Sequence, residues 1–117
     1  MKKTKNFTTT DNLVTVSEEE TKEKIIKKLQ EKKAKIAFIL DKYNKLIGRY
    51  WLEESKKKEQ VEINFDDNPI FTERNNTLNE TLSTMLESGE KLLPVVSQKK
   101  IFMGIIKLND IFEEVNK

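Results

Sequence analysis

The sequence predicts an α/β (α+β) fold made of two β-α-β-β-α repeats that pack as a pseudo-two-fold pair. Three observations lead to this prediction: an ungapped internal duplication, the same order of apolar segments in both copies, and a length of 117 residues. That length is typical of one domain, and neither copy alone can cover both faces of its strands. We expect the first repeat, with an N-terminal segment and a linker, in residues 1–60, and the second repeat in residues 61–117.

The duplication becomes visible when the sequence is aligned on itself with an offset of 56 positions, which places Thr21 on Thr77 and Gly48 on Gly104. Apolar positions agree better than identities do. The apolar pairs include Val14 with Ile70, Ile26 with Leu82, Leu29 with Met85, Ile36 with Leu92, Ile39 with Val95 and Leu46 with Phe102. Because a chance overlap would not keep the apolar class over so long a stretch, we interpret the chain as a tandem repeat.

Each copy predicts a short strand, an amphipathic helix, two buried strands and a shorter closing helix. Ser17 with Glu20, and Asn76 with Glu80, are typical of helix starts, and Gly89 fits a helix end. The predicted strands are 14–16, 36–40 and 46–50, then 70–72, 92–96 and 102–106, and the closing helices are 53–59 and 109–115. The apolar helix faces hold Ile25, Ile26 and Leu29 in the first copy, and Leu78, Leu82, Met85 and Leu86 in the second.

Composition excludes several classes of function. The chain has no cysteine and no histidine, so it lacks the thiolate nucleophile, the commonest general base and the commonest transition-metal ligand. We therefore expect neither an enzyme nor a metal site. With 22 basic and 20 acidic residues, the chain has no excess of positive charge for nucleic-acid binding. No apolar run approaches the ~20 residues of a membrane span, and no signal segment follows the basic start, so we expect a cytoplasmic protein.

Two strand motifs resemble a known family. The second copy reads Leu93-Pro94-Val95-Val96 and then Phe102-Met103-Gly104-Ile105-Ile106-Lys107-Leu108-Asn109-Asp110, and the first copy has Ala37-Phe38-Ile39-Leu40-Asp41 followed by Leu46-Ile47-Gly48. Together with the duplication, these motifs resemble a tandem pair of CBS repeats, or Bateman module. The polar link 53–60 and the approach 88–94 are similar to the C-terminal module of ATPases from quaternary-amine (glycine betaine, carnitine, choline) ABC importers. The chain has no P-loop motif, so it is not the ATPase itself.

The resemblance implies a non-catalytic regulatory module that senses a small ligand for a larger protein. The expected ligand is an adenine nucleotide, ATP or AMP, with cyclic di-AMP as a further candidate. The expected partners are a second copy, in a homodimer, and an ABC transporter ATPase domain in the same parent polypeptide. For cyclic di-AMP, aromatic and basic residues are expected where this chain has Leu92 and Leu108. The alternative is a purely structural dimerisation module without a bound ligand.

The same resemblance implies the ligand contacts. Asp110 stands where family members hold the ribose, because a carboxylate accepts hydrogen bonds from both ribose hydroxyls. Lys107 replaces a hydroxyl residue of the family, and its ammonium suits a phosphate. For the base, the expected contacts are Val14 and Thr15 on one wall and Ala37, Leu92 and Ile105 on the floor.

Each of these residues also has a purely structural interpretation. Asp110, with Asn109, fits a cap of the final helix, Lys107 fits an exposed lysine, and the base-contacting set fits core packing. In the first copy, Trp51 and Glu54 occupy the positions of Lys107 and Asp110. We expect Trp51 to pack against apolar surface or a dimer partner, or to fill the first cleft, and therefore expect the first site to be degenerate.

Overall fold

The computed structural model describes residues 2–54 and 61–116, and it confirms the predicted mixed α/β fold. The chain divides into two compact units. The first unit is Asn12–Pro69, and the second combines the N-terminal segment up to Asp11 with the chain from Ile70 onward. In chain order, the elements of the described residues are a 3₁₀ turn Thr4–Phe7, β1 Val14–Ser17, α1 Lys22–Lys32, β2 Ile36–Leu40, β3 Leu46–Glu54, β4 Val61–Asp66, β5 Thr72–Glu73, α2 Leu78–Ser88, β6 Leu92–Val96, β7 Phe102–Lys107 and α3 Leu108–Val115.

The first unit is a sheet of order β1-β2-β3-β4 with α1 packed on β1 and β2. β1 runs parallel to β2, and the other pairs are antiparallel. Ile25 and Leu29 of α1 are fully buried against the strands, as their spacing predicts. The core of this unit consists of Val14, Val16, Ile25, Leu29, Ala37 and Ile39.

The closing helix predicted at 53–59 is wrong at its start, because Glu53 and Glu54 continue β3. Residues 55–59 of that prediction lie outside the described residues. β3 instead pairs with β4, a strand that was not predicted, and Leu52 lies opposite Ile63. The sequence of β4 alternates apolar and polar residues with the period of two that is typical of a strand with one buried face.

The second unit is a sheet of order β5-β6-β7 with α2 and α3 packed on one another. Its core consists of Leu78, Met85, Leu93, Val95, Ile106 and Ile111. Leu86 is 62% exposed, so its predicted place in the core is wrong. It follows Met85 directly and is therefore turned about 100° around the helix from that buried side chain. The strand predicted at 70–72 is also shifted, because β5 begins only at Thr72 and both Ile70 and Phe71 are exposed.

The two sheets repeat one another in register. Ile39 lies opposite Gly48, Val95 lies opposite Gly104, and both sheets change register directly after these pairs. The helices Lys22–Lys32 and Leu78–Ser88 are related by the same offset of 56. The duplication read from the sequence is therefore confirmed in the pairing of the strands.

The N-terminal segment, residues 2–11, packs in the second unit, and we call it the arm. It lies along β7, whereas β4 lies along β3 in the first unit. Phe7 of the arm packs on the second core and Ile63 of β4 on the first core, again 56 positions apart. The arm, which precedes the first repeat in sequence, thus completes the second unit. β4, which precedes the second repeat, completes the first unit. The repeat boundary between residues 60 and 61 stays a prediction.

The helix caps differ from the predicted ones. Thr21 and Thr77 are the N-caps of α1 and α2, four positions after Ser17 and one position after Asn76. Thr77 and Glu80 form a capping box, in which each side chain satisfies the other residue's backbone N–H. The predicted helix end at Gly89 is confirmed, with a left-handed φ of 76°.

Candidate functional site

The predicted ligand residues of the second unit meet where β7 continues into α3. Leu92 of β6 lies directly opposite Lys107, the last residue of β7. The N–H of Leu108 donates to the carbonyl oxygen of Lys91 at 2.9 Å, which fixes the turn from strand to helix. Asp110 follows in the first turn of α3 and is half-buried. This junction therefore presents one ammonium and one carboxylate within four consecutive residues.

The interpretation of Asn109 and Asp110 as helix caps is wrong. The N-cap residue of α3 is Lys107, and no side chain makes a cap hydrogen bond there. Within residues 2–54 and 61–116, the Asp110 carboxylate has no hydrogen-bond or ion-pair partner. A carboxylate in the first turn is favoured by the positive end of the helix dipole. Its acceptor oxygens are thus held near the start of α3, and the described part of the fold does not use them.

Ile105 contributes a buried side chain and a backbone that is already paired. Its N–H donates to the carbonyl oxygen of Thr9, and its own carbonyl oxygen accepts from the N–H of Thr9, both at 2.9 Å. The preceding Gly104 permits this approach, because a Cβ there would lie 2.7 Å from the Thr9 carbonyl oxygen. Only the Ile105 side chain, and not its paired backbone groups, is available for the predicted apolar contact.

The predicted residues of the first unit divide between the two faces of its sheet. Val14 lies opposite Ala37, and both side chains are buried in the core. Thr15 points to the other face and is exposed. An open cleft of about 260 Å³ lies beside the start of β1, lined by Leu13, Val14, Thr15, Lys28, Glu31 and Lys32. Ala37 is not part of its lining.

Trp51 packs against a side chain of its own unit. The Arg49 guanidinium carbon lies 5.0 Å from the centre of the Trp51 ring, a distance typical of a cation–π contact. Arg49 also forms an ion pair with Asp66 of β4, with 3.5 Å between Nε and Oδ2. The indole thus stands, half-buried and stacked, at the position that corresponds to Lys107 in the second repeat.

A chain of buried hydroxyl groups in the second unit was missed by the sequence reasoning. Thr81 Oγ1 lies 2.6 Å from Thr4 Oγ1 and 2.7 Å from Thr72 Oγ1, and Asn76 Nδ2 donates to Thr72 Oγ1 at 3.2 Å. All three threonines are almost completely buried. The chain joins the arm to α2 and β5. The internal repeat gave no signal for this chain, because the positions equivalent to Thr72 and Thr81 hold Val16 and Ile25.

Titration and metal chemistry add little to this site. The capping box lowers the pKa of Glu80, chiefly because the carboxylate accepts from the backbone N–H and the hydroxyl of Thr77. In the part of the chain that the structure describes, no group of three or more acidic side chains gathers as a metal site would require. None of the helices in residues 2–54 and 61–116 has the length and hydropathy of a membrane span.

Comparison with known proteins gives one family and several similar folds. Residues 5–49 and 61–117 match the CBS domain. The structure is similar to the soluble part of a magnesium transporter, with a TM-score of 0.82 at 15% identity over 98% of this chain and 48% of that one. It is also similar to the cytosolic domain of the Mg²⁺ channel MgtE in complex with ATP, with a TM-score of 0.75 at 18% identity over 92% of this chain and 46% of that one.

A third similar structure is CBSX2 in complex with AMP, with a TM-score of 0.78 at 19% identity over 99% of this chain and 97% of that one. The chain thus spans about half of the solved soluble part and of the solved cytosolic domain of the two magnesium-transport proteins, and nearly all of the solved CBSX2 chain. At these identities the likeness concerns the fold. No curated protein matches the sequence.

Proposed function

The chain belongs to the CBS-domain family as a tandem pair, and from this premise we propose that it senses an adenine nucleotide for a larger protein. Its role is regulatory and non-catalytic. The observation that supports this best is the unpartnered Asp110 carboxylate at the start of α3. Its acceptor oxygens have no partner among the described residues, and a carboxylate of this kind suits the paired hydroxyls of a ribose.

Lys107 supplies the complementary charge. It precedes the first turn of α3, and its position opposite Leu92 places it at the same end of the sheet as the helix start. An ammonium and the free N–H groups of a helix start both favour a phosphate. The Leu92 and Ile105 side chains add apolar surface in the same unit. The base contacts of Val14, Thr15 and Ala37 stay a prediction from the sequence.

ATP and AMP are the ligands that we propose first, because similar structures are complexes with ATP and with AMP. Cyclic di-AMP rests on the sequence resemblance alone. The proposed parent, a cytoplasmic ATPase subunit of an osmolyte ABC importer, rests on the same resemblance, and part of the link that supports it lies outside the described residues. The competing proposal is that the parent polypeptide is a transporter of another class, since two similar structures belong to magnesium-transport proteins.

Calorimetric titration of ATP, AMP and cyclic di-AMP into the wild-type chain and the D110N variant tests the proposal. Asn keeps the size of the side chain but removes the charge, and a hydrogen bond to a charged group contributes about 1.5–3 kcal/mol. We therefore expect Kd to rise roughly 10- to 100-fold. The matched control is E113Q, one turn away on the same helix and exposed, which should leave Kd unchanged. Absence of heat with all three nucleotides, or equal effects of both variants, would refute the sensing role.

A purely structural dimerisation module is the second candidate, and it is favoured by the Trp51–Arg49 stack in the first unit. The indole occupies the position at which the second repeat has Lys107, the residue that we propose for a phosphate. This candidate predicts a homodimer whose association constant is the same with and without nucleotide. Sedimentation equilibrium at several nucleotide concentrations distinguishes it from the sensor.

A further inference from the structure

The arm contacts the second unit on both sides of the junction between β7 and α3. Before the junction, Thr9 exchanges two backbone hydrogen bonds of 2.9 Å with Ile105 of β7. Beyond the junction, the ammonium group of Lys2 forms an ion pair with Glu114, in the last turn of α3. The two charged residues that we propose for the ligand lie between these contacts in sequence. One short stretch of chain therefore holds the proposed ligand segment at both of its ends.

α3 is a short helix with a single buried residue. It is eight residues long, whereas an isolated helix needs about 12–15 residues to be even marginally stable in water. Ile111 is the only buried one of these eight residues, all of which the structure describes. The last turn has no basic side chain, and the negative end of the helix dipole opposes the Glu114 carboxylate there. The Lys2 ammonium brings a positive charge to this turn from outside the helix.

The two partners of the ion pair differ in their exposure to solvent. The Glu114 side chain is 9% exposed, whereas the Lys2 side chain is 61% exposed. A cavity of about 230 Å³ adjoins the pair and is lined by Lys2, Thr77, Leu78, Asn79, Glu114 and Val115. A largely buried carboxylate is destabilised when it loses its cation, while an exposed lysine is easily hydrated. The pair thus joins a fixed carboxylate to a lysine that can move away from it.

The rest of the arm is attached mainly through polar groups. The N–H groups of Thr4 and Lys5 donate to backbone carbonyl oxygens in the turn before α2, at 2.8 and 2.9 Å. Phe7 is the only large apolar residue of the arm, and it is half-buried. Segments with few buried apolar contacts open locally at a lower free energy than the core does. We therefore expect the arm to detach while the core of the second unit stays folded.

We propose that the arm is a detachable strap that regulates the nucleotide site. When it is attached, it fixes the junction through Thr9 and Lys2 and keeps Lys107 and Asp110 in place for the ligand. When it is detached, α3 is free to move and the affinity for nucleotide falls. By thermodynamic linkage, a bound nucleotide then also favours the attached arm. The regulation rests on the proposed function, whereas the hold of the arm on α3 does not.

Two substitutions, K2M and E114Q, remove the ion pair from opposite sides. They change the net charge in opposite directions, so a simple charge effect would weaken the binding of an anionic nucleotide in K2M and strengthen it in E114Q. Loss of the strap weakens binding in both variants, because the pair is then missing from every molecule. The matched controls are K5M, at an exposed lysine of the arm, and E113Q, at an exposed acid of α3.

Amide hydrogen exchange on the full chain without nucleotide measures the attachment of the arm. We expect the N–H groups of Thr9 and Ile105 to exchange about three- to tenfold faster in both ion-pair variants than in wild type. Both controls should exchange like wild type, and the charge-swapped variant K2E/E114K should regain most of the protection. The Leu52 N–H, which has a backbone bond in the first unit, is the internal reference. Circular dichroism checks that each variant is folded.

Calorimetry with AMP on the same samples measures the linkage to the ligand. We expect Kd to rise about threefold or more in both K2M and E114Q, and saturating AMP to slow the exchange of the Thr9 N–H in wild type about threefold or more. The strap is overturned if the two variants exchange like wild type, if their Kd values equal that of wild type, or if they shift Kd in opposite directions. A wild-type chain that binds no nucleotide refutes the sensing function and with it the regulation, and the exchange rates alone then decide whether the arm holds α3.

Discussion

Replacing Thr81 by valine removes the middle hydroxyl of the buried threonine chain and keeps the shape of the side chain. Thr81 Oγ1 is 2.6 Å from Thr4 Oγ1 and 2.7 Å from Thr72 Oγ1, so T81V breaks two hydrogen bonds at once. Thr72 keeps the amide donor of Asn76, whereas the Thr4 hydroxyl loses its threonine partner while fully buried.

The expected cost follows from these partners. A buried polar group left unsatisfied costs about 1–3 kcal/mol, and the loss at the partly satisfied Thr72 is smaller. We expect T81V to lower the free energy of unfolding by about 2–3 kcal/mol, a large fraction of the ~5–15 kcal/mol that stabilises a typical domain. The triple variant T4V/T72V/T81V removes all three hydroxyls and leaves only the part-buried amide of Asn76 without its threonine partner, so it should cost less than T81V.

Urea denaturation followed by circular dichroism measures these free energies. Hydrogen exchange of the Ile105 amide provides a second readout, because that N–H is bonded to Thr9 of the arm, and it should exchange faster in T81V than in the triple variant. The reasoning fails if the triple variant costs as much as the sum of the three single ones. It also fails if T81V costs less than about 0.5 kcal/mol.

Three further predictions concern single positions. G104A should destabilise the chain by about 2–3 kcal/mol, because its φ of 146° and a backbone oxygen 2.7 Å from the new Cβ both oppose a side chain. G89A, with a positive φ but no atom within 4 Å of the new Cβ, should cost only about 1 kcal/mol. Thermal denaturation measures both variants. Stability should fall as the pH drops below about 4.5, the ordinary value for Glu80, because its lowered pKa stabilises the fold only while the carboxylate is charged. E80Q should remove this part of the pH dependence. Equal losses of stability in wild type and E80Q below about pH 4.5 would contradict the prediction. I111A should cost about 2–5 kcal/mol by urea denaturation, since it empties a fully buried position.

Much of the fold was predictable because the two copies constrain one another. The strands Ile36–Leu40 and Leu92–Val96 have the predicted bounds, since an apolar run repeated at a fixed offset is a strong signal for a buried strand. The closing helix of the first repeat was not predictable in this way. Glu53 and Glu54 are good helix formers, and the pairing of β3 with β4 overrode that local preference.

The candidate site was predictable only in part. Short-range sequence order places Lys107 and Asp110 at one strand–helix junction, and the strand pairing adds Leu92. The partner of Ile105 lies 96 positions earlier, at Thr9, and no local pattern encodes a contact of that length. The cap assigned to Asp110 failed for a different reason, since β7 continues directly into α3 and leaves no separate capping residue.

The arm also decides which part of the chain receives a mechanical load. Residue 2 precedes the first repeat in sequence, yet the arm is bonded to the second unit, through Thr4 to Asn76 and through Thr9 to Ile105. A pull applied at the start of the arm therefore loads the attachment at Asn76 first, and then that of β7 at Ile105, two residues before Lys107. A force along the arm is thus borne in part by the strand that leads into Asp110.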